Sequence, residues 1–149
     1  MALRFAQLSI VILVLAAGCT NFPRDPKKTL EHVRSSHTLK VGAGEDPPFL
    51  TRHGDEAEGR DADLVRGFAQ QLGAKVEWEW ESQEEQFESL EQFHLDLVAG
   101  GVSKKSPWSK KVAITRPFAE MTKRKRSFAV PPGENAFLKA LETYLAEKQ

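Results

Sequence analysis

The chain has 149 residues, of which 40% are hydrophobic, and its 21 lysines and arginines balance 21 aspartates and glutamates. That length suits one domain with a real core, and a formal net charge of zero argues against a dedicated nucleic-acid binder, which concentrates positive charge. Glu77, Glu79, Glu81, Glu84, Glu85, Glu88 and Glu91 crowd the middle, while Lys104, Lys105, Lys110, Lys111, Arg116 and Lys123 to Arg126 follow. The pattern marks either an acidic and a basic face or ordinary solvated surface.

Residues 1–18 carry one early cation, Arg4, then an uncharged apolar run from Leu8 to Ala17. This is the pattern of a secretory signal and is too short for a stable membrane span. Cys19 is the only cysteine, so in an exported chain it is a free thiol, an intermolecular link or an acyl attachment site. Leu15-Ala16-Ala17-Gly18-Cys19 resembles a bacterial lipobox, with its leucine one position early and Ala16 in the usual place. That resemblance implies lipidation at Cys19 and a protein anchored to, but not spanning, a membrane of the bacterial envelope, facing the periplasm. The alternative is a chance cysteine beside an ordinary cleavage site. Thr20 and Asn21 follow Cys19 with no aspartate, which by the usual sorting rule for Gram-negative lipoproteins favours the outer membrane.

Residues 19–36 read as the lipidated N-terminus and tether: Asn21 to Lys28 holds two prolines, and Thr29 to Ser35 forms a brief helix with Leu30 and Val33 on one side. Residues 37–149 then form a single α/β lobe. Leu39 to Ala43 is its first strand, running into the loop Gly44 to Phe49. His53-Gly54-Asp55 is a hairpin turn. Asp61 or Asp63 caps a helix with Leu64, Val65, Phe68, Ala69 and Leu72 at helical spacing, and Gly73 supplies its left-handed stop. Ala74 to Glu81 alternates, with Val76, Trp78 and Trp80 on one face, more often core than a stacking platform. Ser82 or Gln83 opens a short helix that turns Phe87 and Leu90 inward, with Phe93 as a further candidate.

The segment His94 to Ser103 organises the chain. An alternating and then apolar run that stops at Gly100-Gly101 and a hydroxyl residue reads as a buried parallel strand ending in a surface loop, the place where open α/β sheets gather their ligands. Asp96 tethers the strand end through hydrogen bonds. Lys123 to Arg126 reads as a solvated hairpin or linker whose charges block edge pairing, or else as a patch for a partner or lipid headgroups. Gly133 to Lys148 is the last helix, with Phe137, Leu138, Leu141, Tyr144 and Leu145 along one side.

Asp96-Leu97-Val98-Ala99-Gly100-Gly101-Val102-Ser103 followed by Thr115-Arg116-Pro117-Phe118 resembles the bacterial extracellular solute-binding proteins of family 3. So do Leu39-Lys40-Val41-Gly42 with Pro47-Pro48-Phe49, Gly59 to Leu64 with Leu72-Gly73, and Ala129 to Asn135. The resemblance implies a three-layer α/β sandwich with a mainly parallel central sheet, like the first lobe of a type II periplasmic binding protein. Relatives insert a second lobe on the order of 90 residues after the Phe118 position, a common small-domain size, and here the chain passes almost directly to Ser127.

By the same resemblance the solute site is expected at Phe49, Gly101, Ser103, Lys105 and Trp108. Phe49 either packs on the solute or plugs the core, with Asp46 a poorer match. Relatives that bind amino acids grip the ligand carboxylate with an arginine fork, a geometry lysine does not reproduce. Here Ser103 keeps the first hydroxyl, Lys105 replaces the second, and Trp108 stands in the arginine position. No catalytic residue, metal ligand or cofactor is expected, because the four histidines lack ligand spacing, no cysteine pair exists and no serine sits in a nucleophile elbow. Some cell-wall lytic enzymes carry a solute-binding-like region ahead of a catalytic domain, and no such domain is expected here. The expected function is non-catalytic capture of a small solute, an amino acid or other small anion, for delivery to an ABC importer, with a second copy as one way to complete the cleft. The alternative is a degenerate lobe whose cleft surface, with Trp108, meets a protein partner of the envelope.

Overall fold

A computed structural model of the chain describes residues 24–121 and 124–149. The signal segment, Cys19 and Lys123 lie outside the described residues. The elements are helix α1 (Thr29–Ser36), strand β1 (Thr38–Ala43), a hairpin of β2 (Thr51–His53) and β3 (Glu56–Glu58), helix α2 (Arg60–Gln71), β4 (Lys75–Glu79), helix α3 (Gln83–Glu91) and β5 (Leu97–Ala99). A short 3-10 helix (Pro107–Lys110) then leads to β6 (Ala113–Ile114), β7 (Ala119–Met121), β8 (Arg124–Arg126), β9 (Ala129–Val130) and helix α4 (Asn135–Glu147).

The central sheet runs β4-β1-β5-β9-β6. β1 pairs parallel with both β4 and β5, and β9 runs antiparallel between β5 and β6, so four of the five strands point the same way. Period-two alternation sorts their side chains between two cores. Leu97, Ala99 and Val130 face a core shared with α1, α2 and α4 through Val33, Val65, Phe68, Phe137 and Leu141. Val98 and Ala129 face the opposite core under α3, with Phe87, Leu90, Leu95 and Val112. Helices on both faces of one sheet make the expected three-layer sandwich.

Local signals hold where their chemistry is self-contained. Gly73 takes φ +71° after α2. Ser82 and Glu85 form a reciprocal capping box at the start of α3, which ties off two backbone donors. Trp78 and Trp80 are only partly buried against the larger core, each under an arginine, with Arg66 5.6 Å from the Trp78 ring centroid and Arg52 5.3 Å from that of Trp80. Phe93 stays outside the core, half-buried in a left-handed backbone conformation with φ 61°.

The segment before β1 is bound to the lobe as well. The buried Glu134 carboxylate accepts hydrogen bonds from Lys27 N and Thr29 N, each at 2.7 Å, which satisfies orphan donors at the start of α1. Asp25 accepts from Ala136 N at 2.7 Å, so from Asp25 onward the chain is tied to α4.

Asp96 fixes β5 beside β1. Its carboxylate accepts from Lys40 N at 2.9 Å, and its own N–H donates to Lys40 O at 2.9 Å. Burial pushes this carboxyl above the ordinary aspartate range, opposed by the Lys40 hydrogen bond. A raised folded-state pKa means that the stability from this group is complete below the unfolded value of about 4 and is lost as pH rises through the folded value. Asp96→Asn keeps an acceptor for Lys40 and removes that loss. Its stability relative to the parent protein, followed by urea melts, is expected to improve between pH 4 and pH 7. A difference that stays level or falls would refute the assignment.

Candidate functional site

β1 and β5 end side by side. Gly44 N donates to Ala99 O at 2.9 Å, and the two backbones approach so closely that a Cβ on Gly100 would lie 1.9 Å from Gly44 O. Gly100 and Gly101 have φ +91° and +68°, conformations that favour glycine, and they turn the chain sharply outward. The cavity next to this turn has a volume of 460 Å³ and is lined by Asp46, the 101–105 segment, Pro117 and residues 124–127. It therefore opens at the carboxyl ends of parallel strands, where α/β sheets offer their sites.

Gly101, Ser103 and Lys105 all line the cavity. The Ser103 hydroxyl accepts from Lys105 N at 3.2 Å, which folds the loop locally and leaves the hydroxyl proton for a guest. Phe49 is not in the cavity lining; it is partly buried, with its ring centroid 3.9 Å from the Arg126 guanidinium carbon. The loop that carries it closes on itself through Asp46 N to Leu50 O at 2.8 Å and Phe49 N to Asp46 O at 2.9 Å. Trp108 is apart from the cavity lining. It stacks on Phe87 with ring centroids 5.9 Å apart and planes 5° from parallel, and Lys111 Nζ sits 4.9 Å from its ring centroid. Ser106 capping Trp108 N at 3.4 Å and Pro107 set the 3-10 turn that sends this indole to the core under α3.

The wall of the cavity contains a cluster that the sequence did not announce. Arg126 Nε donates to Asp61 Oδ1 at 3.2 Å, Nη2 donates to Asp61 Oδ2, and Nη1 donates to Asp46 Oδ2 at 2.9 Å. Arg124 approaches the second Asp46 oxygen at 3.6 Å. Burial works against the charge on Arg126, and the hydrogen bonds it donates to Asp61 and Asp46, with their negative charge, outweigh it, so the guanidinium is held charged above its ordinary range.

Two sequence expectations change here. Neither Asp61 nor Asp63 caps α2, whose N-cap is Gly59 with no side-chain hydrogen bond, because Asp61 N binds Phe49 O at 3.0 Å and its carboxylate is committed to Arg126. Nor is Arg126 part of a solvated run, since β8 pairs with β7 and leaves Arg126 buried. The usable signal was the period of two in Arg124-Lys125-Arg126, which puts both arginines on one face.

Cations surround the rest of the mouth. Lys104, Lys105 and Lys125 line it, and among the described residues none of them has an acidic partner within salt-bridge reach. Also among the described residues, no group of three or more His, Cys, Asp or Glu side chains could hold a metal ion. The arrangement offers hydroxyl and ammonium donors at the carboxyl ends of the central strands.

Residues 39–149 match the family model described as bacterial extracellular solute-binding proteins, family 3. The chain is 31% identical over 94 residues to the membrane-bound lytic murein transglycosylase F of Vibrio cholerae, covering 62% of this chain and 18% of that protein. It is 33% identical over 103 residues to the Photobacterium profundum protein of the same name, covering 67% of this chain and 20% of that one. The chain thus spans about a fifth of the length of the curated relatives it matches. In fold it is similar to the arginine-bound form of domain 1 from TmArgBP, with a TM-score of 0.69 and 24% identity over 78% of this chain and 97% of that chain. That solved chain is itself one domain, and nearly all of it is matched.

Proposed function

Because the chain belongs to the bacterial extracellular solute-binding proteins of family 3, we propose that it is a non-catalytic capture lobe, taking a small polar solute beside Gly101, Ser103 and Lys105. The observation that carries this reading is the 460 Å³ cavity at the carboxyl ends of β1 and β5, a volume within the usual range for small-molecule sites. Capture needs no bond to be made or broken. The Ser103 hydroxyl and the lysines supply hydrogen bonds and charge, and the twin-glycine turn lets backbone approach the guest.

One lobe encloses a ligand less fully than two, and small-molecule sites bury most of their guest. The β7-β8 hairpin supplies part of the missing wall through Arg124 and Lys125, and a second copy or another protein supplies the rest. Export, lipidation at Cys19, an envelope location and delivery to an ABC importer complete this reading, supported by the lipobox-like segment and the family. A second reading, an envelope interaction module, is favoured by the relatives in which the matched region is a fifth of a longer membrane-bound protein.

A thermal-shift screen of the purified chain against amino acids, other carboxylates and inorganic anions tests the first reading. Stabilisation follows RT ln(1 + [L]/Kd), so a ligand at ~100 times its Kd adds about 2.7 kcal/mol. A shift abolished by Ser103→Ala is the expected result. A folded chain unmoved by the whole panel refutes capture and turns the search to protein partners.

A further inference from the structure

The Arg126 cluster has the composition of a binding site for a free guanidinium ion. One carboxylate, Asp61, grips two nitrogens in a fork, a second, Asp46, takes a third at 2.9 Å, and the Phe49 ring lies against the flat face at 3.9 Å. Paired carboxylates around an aromatic face are what selects a planar cation from water. Here the cation comes from the chain itself, reaching in from β8 to Asp61 in the first turn of α2 and to Asp46 in the loop after β1, 65 and 80 residues away in sequence. Both Asp46 oxygens meet arginines, so the carboxylates in and behind this wall are already neutralised. The lysines opposite them are not.

We propose that Arg126 is an internal ligand: its guanidinium fills a cation site built from Asp46, Asp61 and Phe49, and so closes the adjoining cavity to cationic solutes and leaves it to small anions. This rests on the capture reading for its second half only. A cationic amino acid entering the cavity would meet Lys104, Lys105 and Lys125 with no free carboxylate to receive it. A carboxylate or phosphate group would meet those same cations as partners. Arg126, itself part of the cavity lining, thereby sets the charge class of the solute while its donors stay committed to Asp46 and Asp61.

The test is chemical rescue. Arg126→Ala is expected to melt lower than the parent chain by about 10 °C or more. Millimolar methylguanidinium should restore much of that loss, while methylammonium or sodium chloride at equal ionic strength should not. Methylguanidinium should leave the parent chain unmoved. Should Arg126→Ala fail to fold, the charge-balanced double variant Asp46→Asn/Arg126→Ala, refolded with and without methylguanidinium, gives the same reading through the yield of folded protein. No selective rescue in either variant overturns the proposal, as does a parent chain stabilised by arginine or lysine.

Glutamate, succinate and inorganic phosphate form the second arm, run on the parent chain. A shift with any of them and none with arginine is the expected selectivity, and phosphate against the two carboxylates separates the anion sources. Rescue with no anion shift upholds the internal ligand and overturns the anion selectivity. Anion shifts with no rescue do the reverse. Capture itself falls only if the whole solute panel leaves the chain unmoved.

Discussion

Asp61→Ala is expected to lower the unfolding free energy by about 3–5 kcal/mol, the range for removing one partner of a buried ion pair. Asp61 is 2% exposed, Arg126 8% and the Asp46 side chain 11%, so little water can replace the missing carboxylate. Arg126 cannot escape by losing its proton, because its pKa lies beyond any working pH and is raised further here. Its Nε and Nη2 donors would stay buried without their acceptor. Replacing Asp46, Asp61 and Arg126 together by apolar residues of similar volume should cost far less, since the desolvation of all three charges is then avoided. Urea melts of the single and triple variants decide the matter. A single variant within about 1 kcal/mol of the parent, the level of an exposed pair, would mean that the cluster is solvated.

The second large effect is expected at Gly100. Gly100→Ala should cost about 2–5 kcal/mol, combining a strained backbone with overpacking. The new Cβ would stand 1.9 Å from Gly44 O, 2.8 Å from Gly44 C and 3.1 Å from Gly44 N. All three are backbone atoms held by the Gly44 N to Ala99 O hydrogen bond, so no side chain can swing away. Gly54→Ala is the matched control. Gly54 has φ +64° but nothing within 4 Å of the added Cβ, so it carries the conformational cost alone, about 1–2 kcal/mol. Equal losses at the two positions in urea melts would contradict the close approach of β1 and β5. The relief at Gly100 would come from parting these strand ends, so any solute shift should weaken in the same variant.

The layers of the fold were legible because each depends on one period read over a few consecutive residues. Leu97-Val98-Ala99 with its glycine stop gave the central strand, and Phe137, Leu141, Tyr144 and Leu145 gave the buried side of α4. The cleft loop was legible for the same reason, since Gly101, Ser103 and Lys105 lie within five residues and reach one cavity together. Phe49 was open between solute contact and core plug, and it lies under Arg126. Arg126 was hidden because its partners are distant in sequence and each had a plausible local role: Asp61 as a helix cap, Asp46 as a loop residue, Arg126 as one of four adjacent cations. Trp108 was hard for a related reason. Its position after Ser103 says which loop carries it, while stacking on Phe87 depends on where α3 packs.

The antiparallel pair β7-β8 also bears on chain entropy. Phe128 N finds Thr115 Oγ1 across only 13 residues, and β6 pairs with β9 over a similarly short span, Ile114 opposite Ala129 and Ala113 opposite Val130. Had a lobe of on the order of 90 residues intervened, the loop to be closed before that pairing would be several times longer. With closure cost growing as (3/2)RT ln n, the shortcut spares about 2 kcal/mol of ordering. It also turns the most distant pairing of the sheet's far edge into a nearly local one. Such contacts form early and fast, so the lobe gains in folding speed as well as in free energy from the absence of the intervening chain.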